Sequence, residues 1–158
     1  MFNTPAPSGG PGRGATWNTE WMEDGAAILA GAVTVAVVGA SRDPRKAGGS
    51  APAGLQPHGF RLIPVNPLAA GQTLFGEMVY ARLEDIPGRV DIVDVFRPAA
   101  DAPQIAREAV AIGAGALWLQ EGIVSAEARR IAEAAGMDYV EDLCISVVRA
   151  LYRIHARS

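Results

Sequence analysis

The residue types best suited to chemistry are gathered in one turn, Gly39-Ala40-Ser41-Arg42-Asp43-Pro44-Arg45-Lys46. A glycine lets backbone approach a ligand closely, and a serine hydroxyl can donate to an oxyanion. Arg42, Arg45 and Lys46 add three cations beside them. That set suits the holding of phosphate groups. It differs from the dinucleotide fingerprint G-x-G-x-x-G, because Ser41 holds the second glycine position and Pro44 the third. Three later places extend the pattern. Asn66 and Pro67, in Pro64-Val65-Asn66-Pro67, stand where dinucleotide folds carry an acid for the ribose hydroxyl. A neutral asparagine hydrogen-bonds an adenosine without repelling a phosphorylated ribose. Phe96 and Arg97 offer an apolar face and a phosphate fork. Gln120 and Gly122 offer a donor, an acceptor and close backbone approach. The plainer reading makes the first segment a solvated loop and Asn66 a turn residue before proline.

The same types argue against bond-making chemistry. There is no G-x-S-x-G nucleophile elbow. Cys144 stands near the start of the last helix, where a dipole can lower a thiol pKa, but a packed thiol is the simpler role. Asp94 lies in an apolar run and needs a partner, for which an ion pair is expected. Trp118 divides between core packing and the crevice. His58 is expected at a helix end on the surface and His155 near the C-terminus. Separated so in sequence, and with one thiol, they make no metal site.

These groups must be positioned by a framework, and the run Val33-Thr34-Val35-Ala36-Val37-Val38 before the turn supplies its centre. Such an apolar, β-branched run suits a strand buried on both faces of a parallel sheet. Strands are predicted over 33–38, 61–65, 90–96, 115–119 and 137–140. Helices are predicted near 50–57, 101–112, 125–135 and 142–155, with an earlier helix capped by Asn18 and ended by Gly31. Asp101 with Gln104 has capping-box spacing, Pro103 suits a first turn, and Ser125 caps the helix that Gly136 stops. Strands alternating with helices imply an α/β, Rossmann-like three-layer sandwich. Its five-stranded, mostly parallel sheet is expected in the order 3-2-1-4-5, with the crevice over strands 1 and 4. Gly48, Gly49, Pro52, Gly54 and Pro57 fall where the first crossover helix belongs. They predict a short helix capped by Ser50, with Pro52 in its first turn, ended before Pro57.

Composition bounds the rest. The 158 residues are 49% hydrophobic and 20% charged, enough for one real core. Residues 1–17, rich in Pro, Gly, Ser and Ala, read as a flexible tail, and 18–158 as a single domain. A net charge of −3 argues against nucleic acid, which needs a basic face. No apolar run suits a membrane span, no signal peptide is visible, and one cysteine fits a reducing cytoplasm.

Several motifs together carry a family resemblance. V-A-V-V-G-A-S at 35–41, P-V-N-P at 64–67, D-I-P-G-x-V-D-I-V-D-V-F-R at 85–97, A-L-W-L-Q-E-G at 116–122 and D-x-C-I at 142–145 occur in order. The chain resembles the small stand-alone CoA-binding proteins, which are similar to the CoA-binding domain of the succinyl-CoA synthetase alpha subunit. The resemblance implies non-catalytic binding of coenzyme A or an acyl-CoA, as carrier or sensor. It implies Gly39, Ala40, Ser41, Arg42 and Lys46 around the phosphates, with Asn66 and Pro67 beside the adenosine. It implies Phe96 and Arg97 along the pantetheine or diphosphate, and Gln120 and Gly122 closing the crevice. The family pattern has a serine and a larger residue where Gly48 and Gly49 stand, and a lysine where Ser146 stands. The synthetase's phosphorylated histidine has no counterpart, so ligase activity is not implied. Two other readings remain open at this point: an NAD(P)-binding redox protein or sensor, and a protein-interaction domain with a degenerate nucleotide site.

Overall fold

The computed structural model describes residues 18–158; the tail expected at 1–17 lies outside them. The chain runs α1 (Thr19–Ala30), β1 (Thr34–Val38), α2 (Ala47–Ala53), β2 (Arg61–Val65), a small hairpin of β3 (Thr73–Leu74) and β4 (Glu77–Met78), β5 (Ile92–Val95), α3 (Ala102–Ala111), β6 (Ala116–Leu119), α4 (Ala126–Ala134), β7 (Asp138–Val140) and α5 (Ile145–Leu151). Local chemistry sets most of these limits. The Asn18 side chain accepts the Trp21 N–H at 3.1 Å, and Ser125 Oγ accepts that of Ala128 at 3.1 Å, two N-caps read correctly from residue type. The expected capping box at Asp101 does not form. Its carboxylate is taken by Arg97, and Gln104 turns along α3 to Glu108 instead.

All main-sheet strands are parallel, and helices cover both faces. Alternate residues point to opposite sides. Val35, Val37, Ile92 and Trp118 pack with Met22 and Leu29 of α1 and with Ile145 and Val148 of α5. Ala36, Val93, Val95, Leu117 and Leu119 pack with Ile105, Ala106 and Ala109 of α3 and with Ala128 and Ala132 of α4. The α/β, Rossmann-like three-layer sandwich is thus present. Trp118 belongs to this core, its indole N–H donating to Leu143 O at 2.8 Å.

The strand order differs from the expected one in a detail that moves the crevice. It is β2-β1-β5-β6-β7, so the third strand of the sheet lies beside the first, giving 2-1-3-4-5 where 3-2-1-4-5 was expected. Two physical facts hold β2 at the edge. Pro64 within it has no N–H to give a neighbour, and proline is confined to edge strands. The outer edge is then covered by the chain that follows: Tyr80 N–H donates to Pro64 O at 3.0 Å, and Asn66 N–H to Tyr80 O at 2.9 Å. The sheet order therefore reverses between β1 and β5, not between the first and fourth strands, and the crevice opens there.

Two helices depart from expectation. α2 starts at Ala47, not at a Ser50 cap, and Pro52 sits inside it. α5 is shorter than 142–155 because Asp142 takes a left-handed conformation (φ 54°) and Arg153 does so beyond the helix end (φ 54°).

Candidate functional site

The site is built outward from the end of β1. Gly39 has φ 89°, and a Cβ there would meet Phe96 O at 2.9 Å. Both backbone shape and space require glycine. The turn beyond it is braced on two sides. Ser41 Oγ accepts the Asp43 N–H at 3.1 Å, which leaves its own proton free to donate. Asn66 Nδ2 donates to Ala40 O at 3.0 Å, and its Oδ1 accepts the Leu68 N–H at 2.9 Å.

α2 docks directly on this turn. A Cβ at Gly49 would stand 2.5 Å from Asp43 O and 2.8 Å from Ser41 O, and one at Gly48 would run into Gly39 O. The two glycines, expected only to weaken a helix, are what allow the approach. Pro52 has a matching role. Lacking an N–H, it leaves the carbonyl four residues earlier without a helical donor, and that carbonyl, Gly48 O, accepts Ser41 N–H at 3.1 Å. The far end of α2 is held by Ser146, whose hydroxyl donates to Ala51 O.

A cavity of about 810 Å³ opens above, within the range of small-molecule sites. Among the expected residues, Gly39, Ala40, Ser41, Lys46, Asn66, Pro67, Phe96, Arg97 and Gln120 line it. Arg42 and Gly122 do not. Arg42 turns to Gln72 Oε1 at 2.7 Å, and the Gly122 N–H donates to Asp142 Oδ1 at 2.7 Å. The three cations of the turn are thereby reduced to one facing the cavity. Arg45 is spent on Asp43, whose carboxyl that guanidinium holds below its usual range, and Lys46 makes no ion pair among the described residues. Arg97 also lines the wall, tied to Asp101 at 2.9 Å.

Behind Gln120 lies a buried polar pair. Asp94 is fully buried, and the Gln120 amide donates to its Oδ1 while Gln120 Oε1 takes the Ile145 N–H at 3.4 Å. Asp94 was expected in an ion pair; among the described residues it meets no cation, and its Oδ2 has no hydrogen-bond partner there. Burial pushes its carboxyl well above the usual range, against the Gln120 hydrogen bond, which favours the neutral acid. Cys144 is also pushed up, first by burial and then by Asp94 and Glu121, against the amides of Val147 and Ser146. It is a packed thiol, not an activated one.

Sequence reasoning missed part of the wall. Gln104, Ile105 and Glu108 form one face of α3 at helical spacing, with Asp101 just before the helix, and Leu68, Arg82, Glu121 and Ile123 also line the cavity. The α3 spacing was visible, but nothing in it said which face meets a crevice. His58 and His155, far apart in the chain, meet edge-on with ring centroids 5.3 Å apart. Among the described residues no cluster of three metal-ligating side chains forms, and no helix is long and apolar enough to cross a membrane.

Residues 33–150 match the family model described as a CoA binding domain. The chain is 34% identical over 124 residues to the uncharacterized protein YneT of Bacillus subtilis, covering 78% of this chain and 90% of that one. A solved Thermus thermophilus protein, cell-free ID.343, is 37% identical with a TM-score of 0.79, over 83% of this chain and 98% of that one. A Ca. Korarchaeum cryptofilum dinucleotide forming acetyl-coenzyme A synthetase, solved with phosphate and ADP, is 25% identical with a TM-score of 0.61. That likeness spans 70% of this chain and 26% of the synthetase.

Proposed function

The chain belongs to the CoA binding domain family, and from that premise we propose that it binds coenzyme A or an acyl-CoA in the crevice over β1 and β5 as a cytoplasmic carrier or sensor, without a reaction of its own. The observation that carries this reading is the docking of α2 on the Gly39–Ser41 turn, which sets Lys46 against the cavity wall. Gly39, Ala40, Ser41 and Lys46 would take the phosphates. Asn66 would brace the turn and, with Pro67, flank the adenosine. Phe96 and Arg97 would border the pantetheine or diphosphate, and Gln120 would close the far wall. Arg42 and Gly122 would act through Gln72 and Asp142, from outside the cavity.

Calorimetric titration and thermal shift with CoA, dephospho-CoA, NADH and NADPH test the proposal. CoA at a hundredfold excess over its dissociation constant would stabilise by about 2.7 kcal/mol. For a domain of this size that raises Tm by roughly 5–10 °C. No heat and no shift at millimolar CoA would overturn it, as would a larger shift with NADPH.

A further inference from the structure

Opposite charges collect at two places along α1, and neither shares a residue with the crevice wall. The first is a groove of about 330 Å³ where α1 packs on the edge strand β7, lined by Asp24, Ala27, Ile28, Asp138 and Tyr139. Asp24 and Asp138 are exposed and enter no ion pair among the described residues. Two carboxylates beside apolar walls suit an arginine, whose stem packs on carbon while its fork takes oxygen. The second place is the far end of α1, where the chain beyond α5 folds back. Ile154 N–H donates to Arg149 O at 3.0 Å, Arg157 N–H to Ala32 O at 3.0 Å, and Arg157 Nε–H to Gly31 O at 3.2 Å. Arg149, Arg153 and Arg157 lie along this stretch, and none enters an ion pair among the described residues. His58 joins them, its carbonyl accepting the Ala156 N–H at 2.9 Å and its ring meeting His155. Burial, then Arg149 and His155, hold the His58 imidazole below its usual range, with no carboxylate acting against them. Leu151 and Tyr152 of the same stretch are 56% and 42% exposed. Tyrosine and arginine are types that protein interfaces favour.

We propose that the groove and the cationic stretch are two halves of one self-complementary surface, through which two copies of this chain form a two-fold dimer. The Asp24–Asp138 groove of each copy takes an arginine of the 149–157 stretch of the other. Asp24 and Gly31 are seven residues apart on one helix, so the groove and the cations lie about 10 Å apart along its axis. Between them α1 exposes Glu20, Glu23, Ala27 and Ala30, at the three- and four-residue spacing of a single face. A two-fold axis crossing α1 near Ala27 sets each groove on the other copy's cations, twice over, as an isologous contact requires. The small side chain of Ala27 lets the two helices approach at the crossing, and Glu20 and Glu23 deepen the negative field at the groove end. In one copy alone the arginines repel one another with nothing to offset them; across the axis both clusters meet their opposites. Exposed charge pairs set register and encounter rate more than strength, so the dimer is weak and sensitive to salt. The inference is independent of what the crevice binds.

The test is sedimentation velocity of the full chain over a range of concentrations, at low and at high salt. The expected result is a reversible monomer–dimer equilibrium at low salt, with a dissociation constant about tenfold higher at high salt. Two charge-reversed variants identify the surface: Asp24→Lys with Asp138→Lys, and Arg153→Glu with Arg157→Glu, all at exposed positions. Each variant alone sets like charges at both contacts and should remain monomeric. Mixed one to one, the two restore opposite charges at both contacts and should form a heterodimer. A parent chain that stays monomeric at low salt up to millimolar concentration would overturn the proposal. So would association that grows into larger species with no dimer end point, or a mixture that stays monomeric although circular dichroism shows both variants folded. Should either variant not fold, the parent decides alone: a dimer indifferent to salt would overturn the charge pairing.

Discussion

Gly49→Ala separates two views of the segment 47–53. Helix propensity alone says that alanine stabilises a helix interior by about 1 kcal/mol relative to glycine. Packing says the reverse. The new methyl would stand 2.5 Å from Asp43 O and 2.8 Å from Ser41 O, where Cβ atoms keep at least 3.0 Å. Both neighbours are backbone, so neither can swing aside as a flexible side chain would. Overpacking of this kind costs about 1–3 kcal/mol, and a clash on two sides belongs at the upper end. Against the propensity gain, the net expectation is a loss of about 2 kcal/mol, which for a chain of this size is a fall in Tm of roughly 4–8 °C. Ser41 and Asp43 are the turn itself, so CoA affinity should fall as well. The assay is a thermal melt and a CoA titration, with Gly31→Ala as the control. At Gly31 the φ is −97° and the nearest atoms are 3.9 Å away, so alanine should stay within about 0.5 kcal/mol of the parent. A Gly49→Ala protein as stable as the parent, with undiminished CoA affinity, would refute the reasoning.

Three further outcomes follow from the same geometry. Lys46→Ala should weaken CoA binding about tenfold at low salt and much less at high salt, while Arg42→Ala, engaged with Gln72, should cost less; equal losses at both salts would speak against phosphate pairing. Burial raises the folded-state pKa of Asp94 above the unfolded value, so its contribution to stability is present at low pH and declines as pH rises from about 4 toward the folded pKa. Asp94→Asn mimics the neutral acid, so its urea midpoint should fall less between pH 5 and pH 8 than the parent's; an unchanged slope would show that Asp94 is not the group. Cys144, raised by burial, should react with a thiol reagent at pH 7.5 more slowly than free cysteine, and rapid modification would contradict its packed role.

Much of the fold was legible because the signals were local. The β-branched run 33–38, the caps at Asn18 and Ser125 and the stops at Gly113 and Gly136 act within one or two turns of chain, so residue type alone located the elements to within a few positions. Gly39 was legible for the same reason, as an abrupt end to a buried strand. The strand order was not read correctly, although Pro64 marked β2 as an edge strand. What closed that edge was Tyr80, fifteen residues beyond Val65, and only folding brings the two together.

The site divides along the same line. Residue types picked out the glycine turn, Asn66, Phe96, Arg97 and Gln120, which line one cavity because each follows the end of a strand and strand ends converge in this fold, and Lys46, which joins them at the start of α2. Which charges stay free was decided by pairing across the structure. Arg42 goes to Gln72, Arg45 to Asp43 and Arg97 to Asp101, and Lys46 remains. The glycines at 48 and 49 reversed their meaning altogether. In the sequence they are weak helix formers; in the fold they are the contact surface. Propensity is a property of one residue, whereas space is a property of its neighbours, and those neighbours are known only once the chain has folded.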